Sequence, residues 1–191
     1  MAIIDIPSLS VAAVVADADL LAVTQGTTVP KKQTFTALWN WLIGKGLPTR
    51  VTKTTSQTKV SDTTLAADTV LKVPIVANTK YYISGAVFWD TGAAEDFKFD
   101  FNGPAAPTLV RVMRWGVLPG GAAVANVAVD TAYNVLAFMN GASGNGGGIL
   151  FYAIIHNGVN AGDLEFRWAQ NVSGVTSTTV LAGSFIDYRA F

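Results

Sequence analysis

At 191 residues the chain is one large domain or a domain with a small appendage, and half of it is hydrophobic while only 14% is charged, well under the usual quarter. Thirteen basic and thirteen acidic residues cancel, which argues against nucleic-acid binding, because phosphate recognition needs clustered Lys and Arg to displace counterions. With no cysteine, disulfides, thiolate nucleophiles and thiolate metal ligands are excluded.

Residues 1 to 48 read as a unit of their own. Met1 to Leu9 is apolar and extended, and Asp5, Asp17 and Asp19 interrupt the apolar runs, against a signal peptide. Ala16 to Thr28 reads as an acidic turn, a short strand and a Gly turn. Lys31-Lys32-Gln33-Thr34 precedes the one helix expected in the chain, about residues 35–43, capped by Thr34 or Thr36 and closed by Gly44 or Gly46. Phe35, Leu38, Trp39 and Leu42 share a face at helical spacing, with Trp41 and Ile43 on the other side. A helix of about ten residues is marginal alone, so a unit this rich in tryptophan is expected to dock on something. Lys45-Gly46-Leu47-Pro48 is the expected boundary, leaving residues 49–191 as a second domain.

That second domain reads as antiparallel β throughout. After the Thr-rich Arg50–Val60 comes a strand at Val70–Val76, which Pro74 places at an edge or bulge. Tyr81 to Trp89 is apolar at nearly every position, the pattern of a strand covered on both faces. Phe97-Lys98-Phe99-Asp100-Phe101-Asn102 alternates without a break, so the phenylalanines share one face and Lys98, Asp100 and Asn102 are expected in solvent. The small residues of Asp90-Thr91-Gly92-Ala93-Ala94 suggest that these two strands form a hairpin. Further strands are expected at Leu109–Trp115, Val124–Val129, Val135–Met139, Ile149–Ile155, Asp163–Gln170 and Thr179–Arg189, with Leu164, Phe166 and Trp168 inward. Thr131 to Gly162 has no charged residue, but the glycines of 141–148 cut it into pieces too short to span a membrane. The whole predicts a mainly β chain, an antiparallel jelly-roll-like β-sandwich with a small N-terminal strand–helix module.

Catalytic chemistry finds little footing. Asp90, Glu95, Asp96 and Asp100 cluster around the Phe97–Asn102 strand, but their spacing fits no metal loop. His156 is the only histidine, and it lies in a His-Asn-Gly turn with no Gly-x-Ser-x-Gly element elsewhere. One histidine without cysteine leaves no ordinary zinc site, and the glycine run lacks the Lys-Ser/Thr ending of a phosphate loop. No catalytic residue, cofactor or metal is expected. Trp89, Trp115, Trp168, Tyr81 and Tyr82 offer a sugar-stacking platform as one reading and core aromatics as the other. An isolated molecule this poor in charge exposes much apolar surface, so a good part of the surface is expected to be interface.

Ala16-Asp17-Ala18-Asp19-Leu20-Leu21-Ala22-Val23-Thr24-Gln25-Gly26, followed by Lys31-Lys32-Gln33-Thr34-Phe35-Thr36-Ala37-Leu38, resembles a short module near the N-termini of tailed-bacteriophage tail-fibre and head-fibre proteins. Thr79-Lys80-Tyr81-Tyr82, the Ala94–Phe101 stretch, Gly103-Pro104-Ala105, Phe166–Ser173 and Thr178–Phe185 resemble, in that order, a phage virion domain. Residues 110–140 and Ile149 to Gly158 lie outside the resemblance. It implies a non-enzymatic virion protein, a homotrimer acting as capsid decoration, cement or head fibre and contacting the major capsid protein or other virion proteins. Phe35, Leu38, Trp39, Trp41 and Leu42 are then the expected docking residues. The alternatives are a tail-fibre or tail-needle tip that meets a host receptor and, more distantly, a carbohydrate-binding module for a host surface glycan.

Overall fold

The computed structural model describes residues 20–25, 28–34, 47–118, 124–141 and 146–191. The chain divides into two compact units, Met1–Leu47 and Pro48–Phe191. In the first, β1 (Leu20–Gln25) and β2 (Thr28–Thr34) pair as an antiparallel hairpin, with an irregular register between Val23 and Gln25. The helix expected at 35–43, with Phe35, Leu38, Trp39, Trp41 and Leu42, lies outside the described residues, as does the extended arm.

The second unit holds twelve strands: β3 (Thr49–Thr52), β4 (Gln57–Lys59), β5 (Ala66–Ile75), β6 (Lys80–Asp90), β7 (Phe97–Asn102), β8 (Leu109–Val117), β9 (Val124–Asp130), β10 (Ala137–Met139), β11 (Gly147–His156), β12 (Gly162–Gln170), β13 (Thr178–Val180) and β14 (Phe185–Ala190). They form two antiparallel sheets. The larger runs β3-β14-β6-β11-β8-β9, with β4 and β13 paired beside it, and the smaller runs β10-β7-β12-β5. Taking β3, β5, β6, β7, β10, β11, β12 and β14 as first to eighth, the sheets read 1-8-3-6 and 2-7-4-5. That is the strand order of a jelly roll. The β8–β9 hairpin is inserted between its fourth and fifth strands and widens the larger sheet beyond β11.

The core lies between the sheets. Phe97, Phe99 and Phe101 are buried together, as their alternation requires, and meet Phe166 and Trp168 of β12 and Trp89 of β6. Leu164 is likewise inward, and β5 is an edge strand with Pro74 exposed, both as expected.

Three local expectations are overturned. β6 and β7 are not a hairpin, since they belong to opposite sheets and residues 91–96 cross between them. Side by side in one sheet, β6 and β7 would turn their aromatic rows to the same side. Facing each other, they stack Trp89 on Phe97 with ring centroids 5.2 Å apart and planes 11° from parallel. Asp96, at φ 51°, turns the chain there.

The strand expected over Thr179–Arg189 is broken in two. Val180 pairs with Trp89 and Phe185 with Ala86, so the last strand runs past β6 with extra residues looped out. Gly183, at φ 89°, takes the conformation that the loop needs.

Asp100 is not in solvent. It is only 2% exposed, because β7 is an interior strand and Arg167 sits directly opposite on β12 with its guanidinium on the Asp100 carboxylate.

Candidate functional site

Of the four clustered carboxylates, Glu95, Asp96 and Asp100 have structural partners, whereas Asp90 Oδ1 is buried without a hydrogen-bond partner among the described residues. The Glu95 carboxylate accepts a hydrogen bond from the Thr176 N–H at 3.2 Å, and its backbone carbonyl accepts those of Asn171 and Val172. Asp96 Oδ1 accepts the Gly141 N–H at 2.9 Å. Asp100 and Arg167 form a cross-strand ion pair, extended by a hydrogen bond from Arg167 to Asn134 Oδ1 at 2.8 Å. The bond to Asp100 holds the Arg167 guanidinium above its ordinary pKa. Glu95 and Asp96 thus tie loops together and Asp100 joins strands. Among the described residues no three His, Asp or Glu are grouped as metal ligands.

His156 is the last residue of β11 rather than a turn residue. Its carbonyl accepts the Thr108 N–H, and its ring meets the edge of Phe191. The turn belongs to Asn157, whose side-chain amide donates to the carbonyls of Val76 and Asn160. Of the aromatic platform, Trp89, Trp168 and Tyr81 are buried in the core, so no surface combines them with Trp115 and Tyr82.

Two buried charge pairs escaped the sequence. Lys53 Nζ lies 2.9 Å from Asp68, with both side chains almost wholly enclosed. Asp68 also accepts hydrogen bonds from Trp168 Nε1 and from the N–H groups of Val70 and Leu71. Arg114 and Asp130 pair at 2.6 Å across the β8–β9 hairpin, with the guanidinium over Phe99. Nothing in a Thr-rich polar stretch marks Lys53 as an inward residue, so no local signal was available.

A groove of about 720 Å³ opens between residues 102–111 and 131–134. Its polar groups largely fasten its own walls: Arg111 donates to the Val110 carbonyl and Asn134 accepts from Arg167. Tyr133 packs its ring on Gly103, and burial pushes its phenol up to about 12.

The two outer faces of the sandwich differ sharply. On the smaller sheet the outward positions carry Lys72, Lys98, Asp100, Glu165 and Arg167, four of them joined in the ion pairs Lys72–Glu165 and Arg167–Asp100. On the larger sheet the outward rows of β6, β8, β9 and β11 are largely apolar, with charges at Lys80 and Arg111, and the charges of β14 and β3, Asp187, Arg189 and Arg50, lie to one side. Val129 of β9 stands opposite Met113, Met113 opposite Tyr152, and Tyr152 opposite Ser84. Trp115 faces Leu150 and Leu150 faces Ala86, while Ile154 faces Tyr82 and Gly148 faces Phe88. Met113 is 46% exposed, Val127 71% and Phe88 41%. Sequence did signal this face: the run Tyr81–Trp89 is apolar at positions of both parities, as is Ile149–Ile155.

No protein-family model matches the chain, and no curated protein does. Among solved structures, the chain is similar to one described as the structure of infectious bursal disease virus Gx strain, at 9% identity and a TM-score of 0.21, over 89% of this chain and 45% of that one. A second is the structure of the Gt strain of the same virus, at 10% identity and a TM-score of 0.21, over 90% of this chain and 45% of that one. The chain therefore spans less than half the length of either.

Proposed function

We propose that this chain is a non-enzymatic structural protein of a bacteriophage virion, a homotrimeric capsid decoration, cement or head-fibre protein. In this reading the jelly roll forms the body of the trimer, and residues 1–48 attach it to the major capsid protein or a neighbouring virion protein. The observation that carries the reading is the apolar outer face of the larger sheet, on a chain that is only 14% charged. A molecule built this way is suited to permanent assembly rather than to life as a free monomer. The order of phage-like motifs along the chain supplies the virion context. The carboxylates Glu95, Asp96 and Asp100, bound into loops and a strand pair, favour a structural role over a hydrolytic one.

The test is attachment. Full-length protein should bind shells that lack it, while a chain without residues 1–48 should keep its oligomeric mass and lose attachment. Full-length Trp39→Ala/Trp41→Ala should behave like the deletion. Undiminished binding by the truncated form would end the assignment of residues 1–48. Copy number separates capsid from tail: hundreds per particle mean shell, whereas a few or tens mean a tail-fibre or needle-tip protein.

A further inference from the structure

We infer that the outer face of the larger sheet, centred on Met113, Leu150 and Tyr152, is buried between copies of this same chain. The inference deepens the self-association in the reading above but stands on its own geometry.

An antiparallel sheet with one face in water alternates apolar-in with polar-out. β7 and β12 obey that rule, placing Phe97, Phe99, Phe101, Leu164, Phe166 and Trp168 inside and charged side chains on the other face. β6, β8, β9 and β11 break it. Their outward rows pair Val129 with Met113, Met113 with Tyr152 and Trp115 with Leu150 in cross-strand register. Four strands spaced ~4.8 Å apart and about eight residues long at ~3.3 Å each give an apolar footprint on the order of 500 Å². With β14 and β3 alongside, the sheet surface reaches roughly 700 Å², close to the ~800 Å² per partner of an ordinary stable interface.

The arrangement of charge fits an interface with an apolar centre and a polar rim. Lys80, Arg111 and Arg189 stand at one end of the face, Arg189 with its guanidinium over the Tyr82 ring, and the Arg50–Asp187 ion pair, at 2.6 Å, stands towards the β3 edge. Its partner must offer a comparably uncharged surface. The smaller sheet does not, since its outward side carries the Lys72–Glu165 and Arg167–Asp100 pairs. Among the described residues the broad apolar sheet face that matches this one is the same face on another copy. Symmetry brings like faces together around a common axis.

The experiment uses the full chain. By light scattering at micromolar concentration, wild-type protein should have a mass that is a multiple of 20.1 kDa. Leu150→Lys and Met113→Lys should each fall towards the single-chain mass with an unchanged far-ultraviolet circular dichroism spectrum. Lys98→Ala, on the opposite outer face, should keep the wild-type mass. A second measurement avoids charge insertion: Met113 in wild-type protein should resist peroxide and oxidise at least about tenfold faster in Leu150→Ser, because oxidation follows exposure.

A wild-type chain at 20.1 kDa overturns the inference. So does a folded Leu150→Lys protein of wild-type mass, or a Met113 oxidised equally fast in both proteins. Shell binding is read separately. Copies that associate through other residues and still bind shells would end this inference and leave the virion reading. Copies that separate on Leu150→Lys but bind neither shells nor tails would do the reverse.

Discussion

Asp68 is fully buried and receives an ammonium, an indole N–H and two backbone N–H groups, which is why a charge survives there. Lys53 follows β3 of the larger sheet and Asp68 lies on β5 of the smaller, so the pair fastens the two sheets together. Asp68→Ala strands the Lys53 ammonium in the core, and denaturant titration should show a loss of about 3–5 kcal/mol. Lys53→Met combined with Asp68→Ala should lose less than the two single losses added, since neither charge is then left alone. Tyr133 makes the opposite case: its hydroxyl is enclosed without a side-chain or backbone partner among the described residues. Tyr133→Phe should leave stability at neutral pH unchanged or raise it by up to about 1 kcal/mol. Burial raises the phenol from 10.0 to about 12 in the folded chain, so its ionisation leaves stability untouched below pH 10 and destabilises the fold progressively as pH climbs towards 12. Thermal melts across that window should show Tyr133→Phe losing less stability than wild type.

At the level of strands, β6 is the element on which both halves of the larger sheet depend, because it pairs with β11 on one side and with β13 and β14 on the other. Gly85 sits in its middle, where a Cβ would come within 2.5 Å of the Phe185 carbonyl and 2.6 Å of the Phe151 ring. Gly85→Ala must push the ring or the last strand aside and should cost about 1–3 kcal/mol in chemical denaturation. Gly183 differs in kind, since a Cβ there meets nothing within 4 Å and only the φ of 89° resists substitution. Gly183→Ala should therefore cost about 1 kcal/mol, through backbone strain alone. The alternation of Phe97–Asn102 made one strand legible to the residue, whereas the connection before it was misread. Small residues with a glycine serve a hairpin and a crossing between sheets equally well. Only the partners of Trp89 and Phe97 distinguish them.

For the whole molecule, the contrast between a charged outer face and an apolar one governs behaviour in solution. An assembly held through the apolar face should keep its mass when sodium chloride is raised to about 1 M, because ion pairing contributes little there and screening is nearly complete. Sulfate should strengthen it, as kosmotropic salts strengthen apolar burial. Analytical ultracentrifugation across both salts checks this, and dissociation by sodium chloride alone would point to a charged interface instead.

What the sequence determined by itself was periodicity. The alternating runs at Phe97–Asn102 and Asp163–Gln170 fixed strands and their inward faces, and the run at Tyr81–Trp89, apolar at nearly every position, marked a strand with two faces to cover. Such signals are local, since neighbouring side chains on a strand must point to opposite sides whatever the fold. The tertiary structure decided which strands are neighbours and which buried charges meet. The order 1-8-3-6 and 2-7-4-5 joins residues far apart in the chain, Lys53 finds Asp68 only once two sheets close over them, and Asp100 is hidden only because Arg167 stands opposite. Those outcomes depend on packing between distant segments, and no spacing along one stretch encodes them.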